Sequence, residues 1–257
     1  MKIKILSLAL TVLFIGAFST GASAFLTAET SQDHISIGFF YAGSEVSVSG
    51  LSDPGDDYII AVTSPECHQA LKMKGKVAGA LWMNVGELKC EKVPNLYFVR
   101  CSRKLDEMLA VCEQDRCVLG YPALERHMNM EPAKDQAEKN KWFGEFIRYK
   151  ESKKLFANSF ANFQISSEGG KQKYSMKFAW PYQAPPGDYL VTVYAVKDKK
   201  VVEQASSKVT VEQVGVVKKL ADMAKNQGAL YGILAIVSAI TAGFGVGIIF
   251  GKGGGAH

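Results

Sequence analysis

Twenty-two consecutive residues near the C-terminus, Ala229 to Phe250, carry no charge. At about 1.5 Å per helical residue, such a run crosses roughly 30 Å of hydrocarbon. Lipid offers no partner for backbone polar groups, so a lone apolar run of this length predicts one transmembrane helix. Lys225 before it and Lys252 after it give it polar borders. Everything upstream is then cargo held at a membrane surface.

The N-terminus reads as an address. MKIK is basic, Ile5 to Phe18 is apolar, and Ala22-Ser23-Ala24 is a small-residue cleavage site. Residues 1–24 are therefore expected to be a signal peptide removed after Ala24; an uncleaved anchor is the alternative. A translocated N-terminus places residues 25–227 outside the cytoplasm and the tail, 251–257, inside it. Lys218, Lys219 and Lys225 on the outer side run against the positive-inside tendency. The signal peptide decides the expected orientation. The chain carries a formal charge of +5, or +3 without Lys2 and Lys4, which is no electrostatic footprint for nucleic acid.

Between these segments the pattern is mostly that of strands. Ile35, Ile37 and Phe39 alternate with small or polar residues, as do Val46 and Val48. Tyr58 to Pro65 reads as a more buried strand after the turn DPGDD, and Val77 to Leu88 and Asn95 to Cys101 continue the series. The period then changes. Leu105, Met108, Leu109 and Cys112 share one helical face behind Ser102, a possible N-cap, and Gly120-Tyr121-Pro122 breaks that helix. Pro132 suits the first turn of another helix, whose apolar face is Trp142, Phe143, Phe146, Ile147 and Tyr149. Its lysines, Lys150 included, read as a solvated face.

Strands return from Leu155. Tyr174, Met176, Phe178 and Trp180 alternate cleanly, and APPGD turns into Tyr189–Val196 and a partner strand after KDKK. The expected fold is mainly β, an immunoglobulin-like sandwich with a helical insertion and one C-terminal transmembrane helix. The segments are 25–101 (β-rich), 102–154 (helical), 155–214 (β-rich), 215–228 (a juxtamembrane helix), 229–250 (the span) and 251–257 (the tail). Whether the two β parts form one interrupted sandwich or two domains is left open.

No catalytic constellation stands out. There is no G-x-S-x-G elbow, and Val246 and Gly253 spoil the phosphate-loop pattern around Lys252. No enzymatic activity and no cofactor are expected. Cys67, Cys90, Cys101, Cys112 and Cys117 suggest disulfides in an oxidising compartment, with one thiol left over. Cys67, His68, His127, Met128 and Met130 offer soft donors of the kind a copper or zinc site uses, the basis of an alternative reading as a metal- or thiol-handling module.

The anchor has its own pattern. Gly228, Gly232, Ala239, Gly243, Gly247 and Gly251 contain three G-x-x-x-G steps. Small residues at this spacing let two helix backbones approach closely in lipid, so the span is expected to pack on a copy of itself or on a partner helix.

DHISIGFFYAGSEVSVSG (Asp33 to Gly50), LWMN, YFVRCSRKLDEML, WFGEFIRYKESKKLF, PPGDYLVTVYAV and the tail LYGILAIVSAITAGFGVGIIF, in this order and spacing, carry a resemblance across nearly the whole mature chain. The chain resembles a family of transmembrane proteins of unknown function first described in alphaproteobacteria. The resemblance implies a β-rich domain on the periplasmic side of a bacterial inner membrane, one C-terminal span and a cytoplasmic C-terminus. It further implies an accessory subunit beside a membrane permease of the sulfite-exporter type. It brings no catalytic residues, and the cysteines and the HMNM stretch stand outside the family pattern.

Overall fold

The computed structural model describes residues 25–251; the expected signal peptide, residues 1–24, and the tail from residue 252 lie outside the described residues. The chain is mainly β, with a helical insertion and one C-terminal apolar helix. Its strands are β1 (Glu29–Thr30), β2 (His34–Ile37), β3 (Ser44–Ser52), β4 (Asp57–Thr63), β5 (Glu66–Val77), β6 (Leu81–Pro94) and β7 (Tyr97–Cys101). Helices α1 (Leu105–Met108), α2 (Val111–Cys117) and α3 (Tyr121–His127), strand β8 (Asn129–Glu131) and helix α4 (Gln136–Ser152) form the insertion. Then come β9 (Phe156–Phe160), β10 (Gln164–Glu168), β11 (Lys171–Trp180), β12 (Gly187–Lys197) and β13 (Lys200–Gln213). Helices α5 (Gly215–Asn226) and α6 (Gly228–Gly251) follow.

Strands from both sides of the insertion interleave. One sheet runs β1-β3-β11-β10 and a second runs β2-β13-β12-β4-β7-β9. In the first, Val48 faces Met176 and Val46 faces Phe178; in the second, Ile60 faces Val193. The two sheets close over one core, with Val46, Val48, Tyr174 and Met176 from the first against Tyr58, Ile60, Val191 and Val209 from the second. Burying a side chain of this kind contributes about 1.5–3 kcal/mol, which is what the alternation along β11 encodes.

β4 is buried on both faces because its other side is covered too. Ile59, Tyr97, Val99 and Tyr194 point outward from the second sheet into a second core. There they meet Phe143, Phe146 and Ile147 of α4 and Leu88 and Cys90 of β6. An unbroken apolar run such as Tyr58–Val62 is the signature of that double burial.

Three expectations change. Val77 to Leu88 is not a single sandwich strand: Ala78 and Gly79 turn with φ of 51° and 75°, and β5 and β6 form a separate long hairpin. The first insertion helix is split at Leu109, which is extended, and Ser102 accepts from the Tyr58 amide at 3.2 Å instead of capping it. α4 begins four residues after Pro132, capped by the Asp135 side chain accepting from the Glu138 amide at 2.7 Å. Gly120, with φ of 86°, opens α3 as well as ending the run before it.

Candidate functional site

α6 is the membrane-spanning candidate: residues Gly228–Ile248 are apolar enough to cross, and none of this window is buried against the rest of the protein. A helix apolar all round and free of the fold has lipid or another helix as its only compatible surroundings. Gly228, Gly232, Ala239, Gly243, Gly247 and Gly251 all lie on this helix. A Cβ placed on Gly228, Gly232, Gly243 or Gly247 meets nothing within 4 Å. Around Gly243 and Gly247, the side chains of Ile240, Phe244 and Ile248 border a groove of about 440 Å³ that no other part of the described chain enters.

α5 precedes the anchor and has no buried residue, with Val216, Leu220 and Met223 along one side and Lys218, Lys219 and Lys225 on the others. That distribution suits a helix lying in the interface between headgroups and water.

The β5–β6 arm, with strands of 12 and 14 residues, was not read from the sequence. Thr63 faces Leu190, and Gly187 faces Val211, so the arm leaves the sandwich at the same end from which β13 leaves for the anchor. Near its tip Leu81, Trp82 and Met83 are 65%, 67% and 52% exposed. Lys76 Nζ lies 5.6 Å from the Trp82 ring centroid, and Lys72 pairs with Glu87 further down. The signal that reveals the arm is Lys72, Lys74 and Lys76 alternating with Leu71 and Met73, followed by a Gly-containing turn.

The candidate donors are scattered over different environments. Cys67 on β5 donates to the Val93 carbonyl at 3.2 Å. His68 is exposed and 3.6 Å from Glu91, and His127 Nε2 lies 2.6 Å from Glu66 Oε1. Met128 and Met130 are packed in the second core rather than turned toward these groups. Among the described residues no group of three or more His, Cys, Asp or Glu side chains is arranged to hold a metal. The five cysteines are free thiols in this structure. Cys90 and Cys101 are buried, and burial pushes their thiols up to about 11 and about 12; Cys112 is exposed.

One charged group is missed entirely by the sequence reading. Lys150 is 4% exposed, its ammonium 5.5 Å from the ring centroid of Phe146 and 5.4 Å from that of Phe156. Burial lowers its pKa, opposed by the nearby Cys67 and Cys90 thiols.

Among curated proteins none matches the chain. A family model does, over residues 25–252, and its description is "Putative transmembrane protein (Alph_Pro_TM)". That range takes in both sheets, the insertion, the arm and the anchor, so the chain belongs to the Alph_Pro_TM family of transmembrane proteins.

Proposed function

We propose that this protein is a non-enzymatic, membrane-anchored interaction module, the accessory subunit of a membrane transporter, with its β domain in the periplasm and its C-terminus in the cytoplasm. The observation that carries this reading is the open groove beside Gly243 and Gly247, a close-approach face on a helix whose apolar window is nowhere buried by the described residues. A permease of the sulfite-exporter type is the partner class that the family resemblance offers. The expected orientation follows from the apolar leader and the A-x-A site.

Purification of the tagged full chain in mild detergent at native expression tests the reading. A permease recovered in near-equal amount, and lost when Gly243→Leu and Gly247→Leu are combined, supports it. A Cβ added at either position meets nothing within 4 Å and both lie on the anchor helix outside the sheets, so this double variant is expected to leave the β domain intact. An unchanged set of co-purifying membrane proteins in the double variant overturns the helix-packing role. For orientation, a membrane-impermeant maleimide applied to cells with a permeabilised outer membrane reaches exposed Cys112 only if the domain is periplasmic.

A further inference from the structure

The sandwich is open along one side. β10 pairs with β11 only from Gln164↔Ser175 to Glu168↔Lys171. Beyond that point Met176 to Trp180 pair with β3 on one side and, among the described residues, with no strand on the other. The chain that would continue alongside them instead crosses to the second sheet, where β9 pairs with β7. The divergence leaves a wedge between the two sheets, with a cavity of about 910 Å³.

Three features of this wedge suit a binding site. The first is the strand edge itself, since every second residue of Met176–Trp180 directs its amide and carbonyl away from β3. The second is an orphaned polar atom: Trp180, 2% exposed, lines the cavity, and its Nε1 is buried without a hydrogen-bond partner among the described residues. Buried donors and acceptors of this kind normally find partners.

The third is charge. Arg100 on β7 lines the cavity half-buried, its guanidinium donating to Ser159 Oγ and lying 5.8 Å from the Phe98 ring centroid. Burial lowers its pKa, and no carboxylate is among the groups that offset this. The two acids that line the cavity do not pair with Arg100: Glu45 lies 3.4 Å from Lys177, and Glu151 accepts from the Tyr121 hydroxyl at 2.7 Å. A half-buried guanidinium that no carboxylate contacts favours an anionic ligand.

We propose that the wedge is a docking slot for an extended segment of a partner polypeptide, added as a strand along Met176–Trp180 with an acidic side chain set against Arg100. Strand addition satisfies the open edge, and alternate side chains enter the apolar wall formed by Phe98, Phe156, Met176 and Phe178. The half-exposed rings of Phe160 and Tyr182, 62% and 60% accessible, close over the inserted segment. This slot lies in the β domain and is independent of the anchor's glycine face.

The test uses the full chain in lipid nanodiscs and capped, fluorescent nonapeptides of alternating valine and threonine with a central glutamate. The expected result is saturable binding that weakens at least tenfold when glutamine replaces the glutamate and is lost when proline does. Arg100→Gln is expected to reduce the preference for glutamate over glutamine to within about twofold, and Arg100→Lys to restore part of it. Amide exchange of Met176–Trp180 slows on binding. The proposal is overturned by no binding at 1 mM peptide, by equal binding of the glutamate and glutamine peptides, or by protection appearing elsewhere while Met176–Trp180 exchanges unchanged. Retained amide-exchange protection of β3 and β4 in the Arg100 variants shows that they are folded, which separates loss of the slot from loss of the sandwich.

Discussion

Lys150 Nζ sits 5.4 Å from the ring centroid of Phe156, in a core where no carboxylate among the described residues pairs with it. The lysine is held by two aromatic faces, an attraction of about 0.5–2 kcal/mol, against the larger penalty of taking an ammonium out of water.

Replacing Lys150 with methionine is therefore expected to stabilise the domain by about 1–2 kcal/mol at pH 7, which raises Tm by roughly 2–8 °C for a domain of this size. The sign with pH follows from the lowered pKa. Between that value and the ordinary 10.5 the unfolded chain holds the proton more tightly, so the wild type gains stability as pH rises. The advantage of Lys150→Met shrinks accordingly as pH approaches 10.5. Urea titrations of both proteins at pH 7 and pH 10 measure this. A less stable methionine variant at pH 7 would show that the cation–π pair outweighs desolvation.

The thiols make an opposite prediction at alkaline pH. Cys90 and Cys101 are pushed up to about 11 and about 12 in the folded protein, above the usual range near 8.5. Their contribution is complete below the unfolded pKa and is lost as pH rises from about 9 through the folded values. In native labelling followed by mass spectrometry, Cys112 is expected to react first, Cys67 and Cys117 more slowly, and Cys90 and Cys101 only on unfolding. Early modification of Cys90 or Cys101 would contradict their burial.

Gly50 is a position of close approach. A Cβ there falls 1.9 Å from the Thr27 carbonyl oxygen and 2.6 Å from the Tyr174 hydroxyl, which itself donates to that carbonyl. Gly50→Ala must push the N-terminal segment off β3, breaking the Thr27–Leu51 bonds at 2.8 and 2.9 Å. A loss of about 2–4 kcal/mol is expected, with earlier proteolysis between Leu26 and Thr30. Wild-type cleavage kinetics in this variant would mean that the segment is not latched as described.

The arm's tip packs on little, so Trp82→Ser is expected to change stability by no more than about 0.5 kcal/mol. A large loss of Tm in Trp82→Ser would place the ring in the fold instead.

How far the sequence discloses this molecule depends on what each residue type can signal. Tyr174 to Trp180 shows its buried face because strand periodicity and burial coincide, and α6 shows itself by length alone. The arm is hidden because Leu81, Trp82 and Met83 are apolar but exposed, so their pattern imitates a core strand. Lys150 is misread by type although its position is informative: Phe143, Phe146, Ile147 and Lys150 follow i, i+3, i+4 and i+7 on the buried face of α4. The wedge is out of reach because it arises where β9 and β10 divide one run of chain between two sheets, and no local pattern marks that division. Interleaving of the two β regions is likewise a matter of long-range pairing.

That interleaving also sets an order of events during synthesis. β3 ends at Ser52 and its neighbour β11 begins at Lys171, so at about 5–20 residues per second β3 waits roughly 6–24 s for the strand that covers its open edge. The last strand ends at Gln213 and the span opens at Gly228, about one to three seconds later by the same rate. The early strands are thus held uncovered through most of elongation, while the bilayer receives its helix almost as soon as the sandwich can close.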